Sequence, residues 1–419
     1  MPAPLSHLVV LDLTRVLAGP WCTQLLADLG AEVVKIEKPG SGDDTRSWGP
    51  PFLKDRDGRD TGEAGYYLAC NRGKKSVAID FTKAAGADLV RALAKDADIV
   101  VENFKVGGLT KYGLDQASLA ALNPRLVYCS ITGFGQTGPY AERAGYDFII
   151  QGMGGFMSVT GERDDLPGGG PQKAGIAISD LMTGMYACTA ILAAIAHREA
   201  GGRGQHIDAN LFDTQVAMMA VMNMNYLVSG VVPGRAGNAH QNIVPYQVFA
   251  CADGHLILAV GNDAQFARFC EVAGKPDWPR DPRFAVNAER VRRRDELVPM
   301  IAAVVRERTQ RDWLTALEAV GVPCGPINRL DRVFADPQVR SRGMRLDLPH
   351  PLSGTVPQVG NPLRFSQTPV AYTRAPPLLG EHTAPVLRDR LGLSDQVLEK
   401  LTAGGVIQVA QAGQRQEQR

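Results

Sequence analysis

The chain has 419 residues, with 45 Lys and Arg against 44 Asp and Glu, and its net charge of +1 supplies no global field for nucleic acid or an anionic membrane. That length exceeds one typical domain and predicts two, while 45% hydrophobic and 21% charged residues describe a water-soluble globular protein in which no run approaches a membrane span. Only residues 1–7 precede the first apolar run, too few for a secretory signal, so a cytosolic protein is expected. Seven cysteines, an odd number without C-x-x-C spacing, argue against both a disulfide framework and a zinc site, and no metal is expected.

The first two hundred residues alternate short β-branched runs with helical patterns, the grammar of parallel βαβ units and an α/β fold. Strands are predicted at His7 to Leu13, Ala31 to Glu37, Ser76 to Asp80, Ile99 to Glu102 and Leu126 to Thr132, with helices at Trp21 to Asp28 and Ala84 to Lys95. Met182 to Glu199 is apolar on almost all sides and predicts a buried helix through the domain centre, stopped at Gly201 to Gly204. A strand at His206 to Asn210 and a Met-rich helix at Thr214 to Val228 follow. The Gly/Pro-rich break after Ser229 closes a large domain over 1–230. A smaller α+β domain is expected over 231–335, with a hairpin turning at Asp253-Gly254. Residues 336–410 return to the large domain with one short helix, capped by Thr383, with Pro385 in its first turn and Gly392 at its end. The polar, low-complexity stretch 411–419 predicts disorder.

The turn after the first strand, Thr14 to Pro20, lacks the glycines that let a pyrophosphate approach a helix N-terminus. The G-x-G-x-x-G at Gly133 to Gly138 runs into Pro139 rather than a helix, which disfavours a dinucleotide. No P-loop, G-x-S-x-G elbow or H-E-x-x-H is present. Basic residues instead gather beside strand ends: Lys35, Lys38 and Arg46; Arg72, Lys74 and Lys75; Lys105 and Lys111. With Val16, Leu17, Ala18 and Phe104 supplying apolar surface, they suit a bulky phosphorylated ligand bearing a ring, although ordinary solvated lysines give the same pattern. Asp180 opens the long apolar helix, where the N-terminus should lower its pKa and leave an ionised nucleophile. A simple helix cap has the same spacing.

The blocks VLDLTRVLAGPWCTQLLADLGAEVVKIEKPGSGDDTR, NRGKKSVAID, VENF, YCSITGFGQTGP, RAGYD, SDLMTG, GRGQHID and VPYQVF, in order over nearly the whole chain, resemble the class III CoA-transferases. This is the CaiB/BaiF family, which includes formyl-CoA and carnitine CoA-transferases. The resemblance implies a Rossmann-like parallel-sheet large domain built from both termini, a smaller α+β domain and an interlocked homodimer. It places the catalytic aspartate on Asp180 and contacts to coenzyme A on Val16, Leu17, Ala18, Lys38, Arg72, Lys75, Asn103, Phe104, Lys111 and Tyr146. CoA thioesters are then substrates, with no permanently bound cofactor and no nucleic-acid or membrane partner. The blocks GDDTRSWGPPF, YYLACNRGKKS, AHQNIVPYQVF, GVPCGPIN and PPLLGEHT point to members that pass CoA from succinyl-CoA to a small dicarboxylate such as glutarate. Gly237 to Ile243 stands where formyl-CoA transferases carry a glycine-rich loop, so His240 and Gln241, with Arg46 or Arg72, are expected to hold the distal carboxylate. Two alternatives stand beside this reading. A 2-methylacyl-CoA racemase needs a histidine where this chain has Tyr146, and a non-catalytic CoA-binding protein needs no Asp180.

Overall fold

The computed structural model describes residues 2–410, so the tail expected to be disordered, 411–419, lies outside the described residues. The chain divides into two compact units, one of residues 1–155, 174–220 and 338–419 and the other of residues 156–173 and 221–337.

The first unit is built on a seven-stranded sheet: β1 (Val9–Asp12), β2 (Glu32–Glu37), β3 (Lys74–Ile79), β4 (Ile99–Glu102), β5 (Val127–Thr132), β6 (His206–Asn210) and β7 (Ile407–Gln408). Their order is β7-β3-β2-β1-β4-β5-β6. The first six are parallel and β7 runs antiparallel to β3. This is the doubly wound Rossmann order with one added edge strand, and its direction of winding reverses between β1 and β4, the switch point beside which ligands of such sheets bind. The central strands β1, β4 and β5 are buried along nearly their whole length because both faces are covered, whereas the edge strand β6 alternates between exposed and half-buried residues. Val10, Val33 and Val101 pack under α1 (Ala18–Asp28) and α4 (Ile178–Gly201). Leu11, Val34 and Val100 pack on the opposite side with α2 (Ala84–Lys95) and the helix Thr383–Leu391.

Several boundaries move. α4 starts at Ile178, and only one face is buried, since Met185 and Tyr186 are 44% and 48% exposed. It is long and apolar enough to cross a membrane by length and composition, against the expectation that no run reaches that length. Its other face packs on α1, β5 and β6 as a core helix does. Gly184 permits the α1 contact: a Cβ there would come within 2.6 Å of the Ala18 carbonyl oxygen. The Met-rich helix is two helices, Leu211–Met218 and Val221–Ser229, interrupted where Ala220 takes a φ of 40°. The unit boundary falls at that break rather than at 230, and 156–173 joins the second unit. In the C-terminal segment Thr383 is the first helical residue, its Oγ1 accepting the Ala78 N–H at 2.9 Å, and a second helix, Asp395–Ala403, precedes β7. Two hairpins of the first unit, Phe52–Lys54 with Asp60–Ala64 and Arg345–His350 with Gly354–Val359, have no counterpart in the sequence reading.

The second unit holds a small antiparallel sheet of Tyr246–Cys251, Gly254–Ala259 and Cys324–Gly325 over a core of Phe249, Phe266, Phe269, Phe284 and Trp313. Gly254 pairs with Cys251, so the turn is Ala252-Asp253, one residue earlier than expected.

Beneath the carboxyl edge of the large sheet lies buried charge. Asp12 faces Lys74 at 3.1 Å, Lys35 faces Asp43 at 2.9 Å, and Arg46 lies between Glu37 at 2.8 Å and Glu63 at 3.1 Å. Burial alone would raise Asp12, but Lys74, Lys35 and the hydroxyls of Thr14 and Thr23 outweigh it and hold the carboxyl at about 2. Glu37 is likewise held at about 2, burial being outweighed by Arg46, Lys35 and Ser76. Both lie below their ordinary values of 3.8 and 4.5, so the stability they contribute is complete above those values and drains as pH falls toward about 2. Urea unfolding midpoints should therefore decline across that window. Asp12→Asn, which leaves Lys74 buried without its carboxylate, should cost about 3–5 kcal/mol at pH 7; an unchanged midpoint would show that the pair contributes nothing.

Candidate active site

A cavity of about 610 Å³ opens beyond the carboxyl ends of β1, β2 and β3 and beside the segment that follows β4. Lys38 and Lys111 line it and are exposed, while Phe81, Phe104 and Tyr112 give it an aromatic wall. Phe81 makes edge contacts to the other two rings at 5.7 and 5.5 Å. Three of its four acidic residues face a cation, Asp43 with Lys35, Glu37 with Arg46 and Asp44 with Arg15 at 3.0 Å, while the fourth, Asp80, accepts the amide and hydroxyl of Thr82. The cavity thus combines two exposed ammonium groups with flat apolar surface, which suits a phosphorylated ligand carrying a ring.

Of the expected contacts, Lys38, Phe104 and Lys111 line this cavity, and Val16, Leu17 and Ala18 continue from its Thr14-Arg15 edge into α1. Asn103 stands behind that turn, bonded to the backbone of Arg15. Val16 has a φ of 71°, a left-handed conformation that costs a β-branched residue on the order of 1–3 kcal/mol.

Four calls are corrected. Arg72 and Lys75 lie at the amino end of β3, away from the cavity: Arg72 grips Asp28 with two bonds of 2.8 and 2.6 Å, and Lys75 pairs with Glu32 at 2.7 Å. At the carboxyl end of β3 it is Ile79, Asp80, Phe81 and Thr82 that line the cavity. Arg46 does not present itself to a substrate, because Glu37, Glu63, the Tyr67 hydroxyl and the Pro377 carbonyl occupy its guanidinium. The fourth correction, to the charge state of Asp180, follows below. His240 and Gln241 belong to the second unit, where the His240 Nδ1 accepts the Asn242 N–H at 3.0 Å and Gln241 Nε2 donates to the Gly234 carbonyl at 2.8 Å. Tyr146, 62% exposed, directly precedes α3 (Asp147–Met153).

Asp147 is the residue that sequence reasoning missed. Its Oδ1 accepts the N–H groups of Ser179 at 2.8 Å and Asp180 at 3.3 Å, while Oδ2 accepts Gln151 Nε2 at 2.6 Å. The positive end of α4 is therefore spent on Asp147, not on Asp180. Burial first, and then the negative charge of Asp147, push the Asp180 carboxyl up to about 7, opposite in direction to the expected lowering. Tyr66 lies in the same field; burial and then the charge of Asp180 raise its phenol to about 12. A carboxyl that titrates near neutrality is both ionised enough to attack and basic enough to be an effective nucleophile. The sequence held one usable signal, the Asp147-x-x-x-Gln151 spacing that puts both side chains on one helical face.

A parallel sheet with a cavity at its switch point and a buried carboxyl of raised pKa on one of its helices is an arrangement that suits an enzyme. Residues 5–383 match CoA-transferase family III, and the chain belongs to that family. It is 54% identical over 386 residues to a succinate–glutarate CoA-transferase of Agrobacterium fabrum, covering 92% of this chain and 95% of that one. It is 41% identical over 404 residues to the succinyl-CoA:glutarate CoA-transferase of Homo sapiens, covering 96% and 90%. Among solved structures, a CaiB/BaiF family protein from Brucella suis superposes with a TM-score of 0.81 at 49% identity, covering 93% of this chain and 100% of that one.

Asp147→Asn keeps an oxygen for the two α4 amides but removes the charge. The Asp180 pKa should then fall below about 7 while staying above the ordinary 3.8, because burial remains. Carbon-13 titration of the aspartate carboxyls reads this directly, and an unmoved Asp180 signal would show that Asp147 does not set it.

Proposed function

We propose that this enzyme moves CoA from succinyl-CoA to glutarate through covalent intermediates on Asp180. The observation that carries the reading is the Asp180 carboxyl itself, raised to about 7 by burial and Asp147. The substrates rest on the activities named for the relatives. The nucleotide portion of CoA is assigned to the cavity, with Lys38 and Lys111 on phosphates and Phe104 on the ring, and the pantetheine arm to the turn of Val16, Leu17 and Ala18.

The Asp180 carboxylate attacks the succinyl thioester carbonyl; the C–S bond breaks, giving an aspartyl–succinyl anhydride and CoA thiolate. The thiolate attacks the aspartyl carbonyl, expels succinate and leaves an aspartyl–CoA thioester. Glutarate attacks that thioester to form a second anhydride, and the returning thiolate takes the glutaryl group, regenerating the Asp180 carboxylate. Protons balance without a general acid. Each acylated state removes a negative charge from beside Asp147, so the repulsion that raises Asp180 in the resting enzyme is relieved as the intermediates form. Because water destroys every intermediate, the site must close.

A second copy is the proposed cover, in an interlocked homodimer. Tyr146, Phe148, Met185 and Tyr186 leave an apolar surface on the first unit, and Leu227, Val228 and Val232, each 70% or more exposed, leave one on the second. Seven free thiols fit a reducing compartment, and the cytosol is the proposed location.

Incubated with succinyl-CoA and glutarate, the protein should produce glutaryl-CoA by mass spectrometry, and Asp180→Ala should reduce turnover on the order of 10³-fold or more. Epimerisation of a 2-methylacyl-CoA without exchange between acids would overturn the transferase reading for these substrates. Equal turnover in Asp180→Ala would remove the nucleophile.

A further inference from the structure

The geometry points to Asn103 and Asp43 as positioning residues that clamp one peptide group, the Arg15–Val16 bond, and so hold the turn after β1 in the left-handed conformation that joins the cavity to Asp180. The inference rests on the CoA-transfer reading given above.

Val16 is β-branched and has a φ of 71°, where an L side chain crowds its own backbone. Glycine would take that conformation freely, yet the chain carries valine, so something outside the turn must hold it there. Two side chains do, from opposite ends of the same peptide. The Arg15 carbonyl accepts Asn103 Nδ2 at 2.7 Å, and the Val16 N–H donates to Asp43 Oδ1 at 3.2 Å. Asn103 Oδ1 also accepts the Arg15 N–H at 2.9 Å, so the residue before Val16 is gripped at both of its polar groups. Neither arm is loose. Asp43 forms an ion pair with Lys35 at 2.9 Å, both side chains being wholly buried, and its Oδ1 accepts the amide and hydroxyl of Thr45. Asn103 directly follows β4, so the clamp reaches across the switch point of the sheet.

The clamped turn is also the short path through the site. Thr14 and Arg15 line the cavity. Ala18, three residues on, lies against α4 at Gly184, one helical turn beyond Asp180. Rotating Val16 to negative φ would swing Leu17 and Ala18 away from that contact and break the line from nucleotide to nucleophile. The strain is thus held where the thioester must pass.

The test compares Asn103→Ala, Val16→Gly and the double variant, with melting temperature, succinyl-CoA kinetics and calorimetric binding of free CoA. Asn103→Ala should keep its melting temperature within a few degrees and lose about tenfold or more in kcat/KM for succinyl-CoA, the scale expected for a misplaced substrate. Glycine at position 16 takes the left-handed conformation without a clamp, so the double variant should return to within about threefold of Val16→Gly alone. Should Asn103→Ala fail to fold, Asn103→Asp, which keeps the acceptor for the Arg15 N–H but loses the donor to its carbonyl, is judged by the same rescue. An unimpaired Asn103→Ala, or a double variant as far below Val16→Gly as Asn103→Ala is below the parent, overturns the clamp and leaves Asn103 inert or a direct ligand. If the parent itself exchanges no CoA between acids, the functional reading fails instead; the same rescue read in CoA affinity then decides the clamp by itself.

Discussion

Everything at the carboxyl edge of the large sheet depends on charge buried inside it. Lys35 and Lys74 are wholly enclosed, and each is tolerable only because a carboxylate reaches it: Asp43 from the loop after β2, Asp12 from the end of β1. Such pairs are poor sources of net stability, since desolvation consumes most of the attraction. What they supply is placement. A loop that must deliver Asp43 to Lys35 has few conformations open to it, and the same loop presents Lys38 to the cavity. Glu37 extends the constraint, accepting Arg46, Ser76 and the Asp43 amide, so the segment 37–46 is tied to β3 and to itself.

This explains which parts of the molecule were legible in the sequence. Strands buried on both faces write largely apolar runs, and β1, β2, β4 and β5 were readable within a residue or two; so were β3 and the half-exposed edge strand β6. The block GAEVVKIEKPGSGDDTR is distinctive because it encodes the buried network. Its charges invite a ligand reading, and for Arg46 that reading was wrong: sequence gives the sign of a side chain, not the partner already waiting for it. Arg72 and Lys75 failed differently: they precede the strand expected from Ser76, which already put them at its amino end, and only the family resemblance assigned them to the ligand. The hairpin of Phe52–Lys54 with Asp60–Ala64 escaped because its strands are short and polar, whereas Arg345–His350 alternates along six residues and carried a period-2 signal that the sequence reading passed over.

Asp180 was found as a residue and misjudged as an environment. A carboxylate in the first turn of a helix should be stabilised, whether as a nucleophile or as a simple cap. The helix is instead capped by Asp147, 33 residues earlier than Asp180, through a contact that only the folded chain creates. A long-range cap both takes the favourable amides and brings a like charge.

Set side by side, Asp12 and Asp180 show how one fold uses the same desolvation for opposite ends. Both carboxyls are removed from water, which by itself raises each. At Asp12 two lysines reverse the effect and hold it at about 2, where it is permanently charged and can serve only to organise its neighbours. At Asp180, among the described residues, no cation offsets burial and Asp147 adds to it, so the group sits at about 7. The resting enzyme thus carries a carboxylate whose charge is its least comfortable feature. In the proposed mechanism acylation, which converts it to a neutral anhydride or thioester, is the step that removes the discomfort. The charges under the cavity face opposite charges; Asp180 on α4 and Asp147 on α3 face like ones, and that difference is what the proposed chemistry uses.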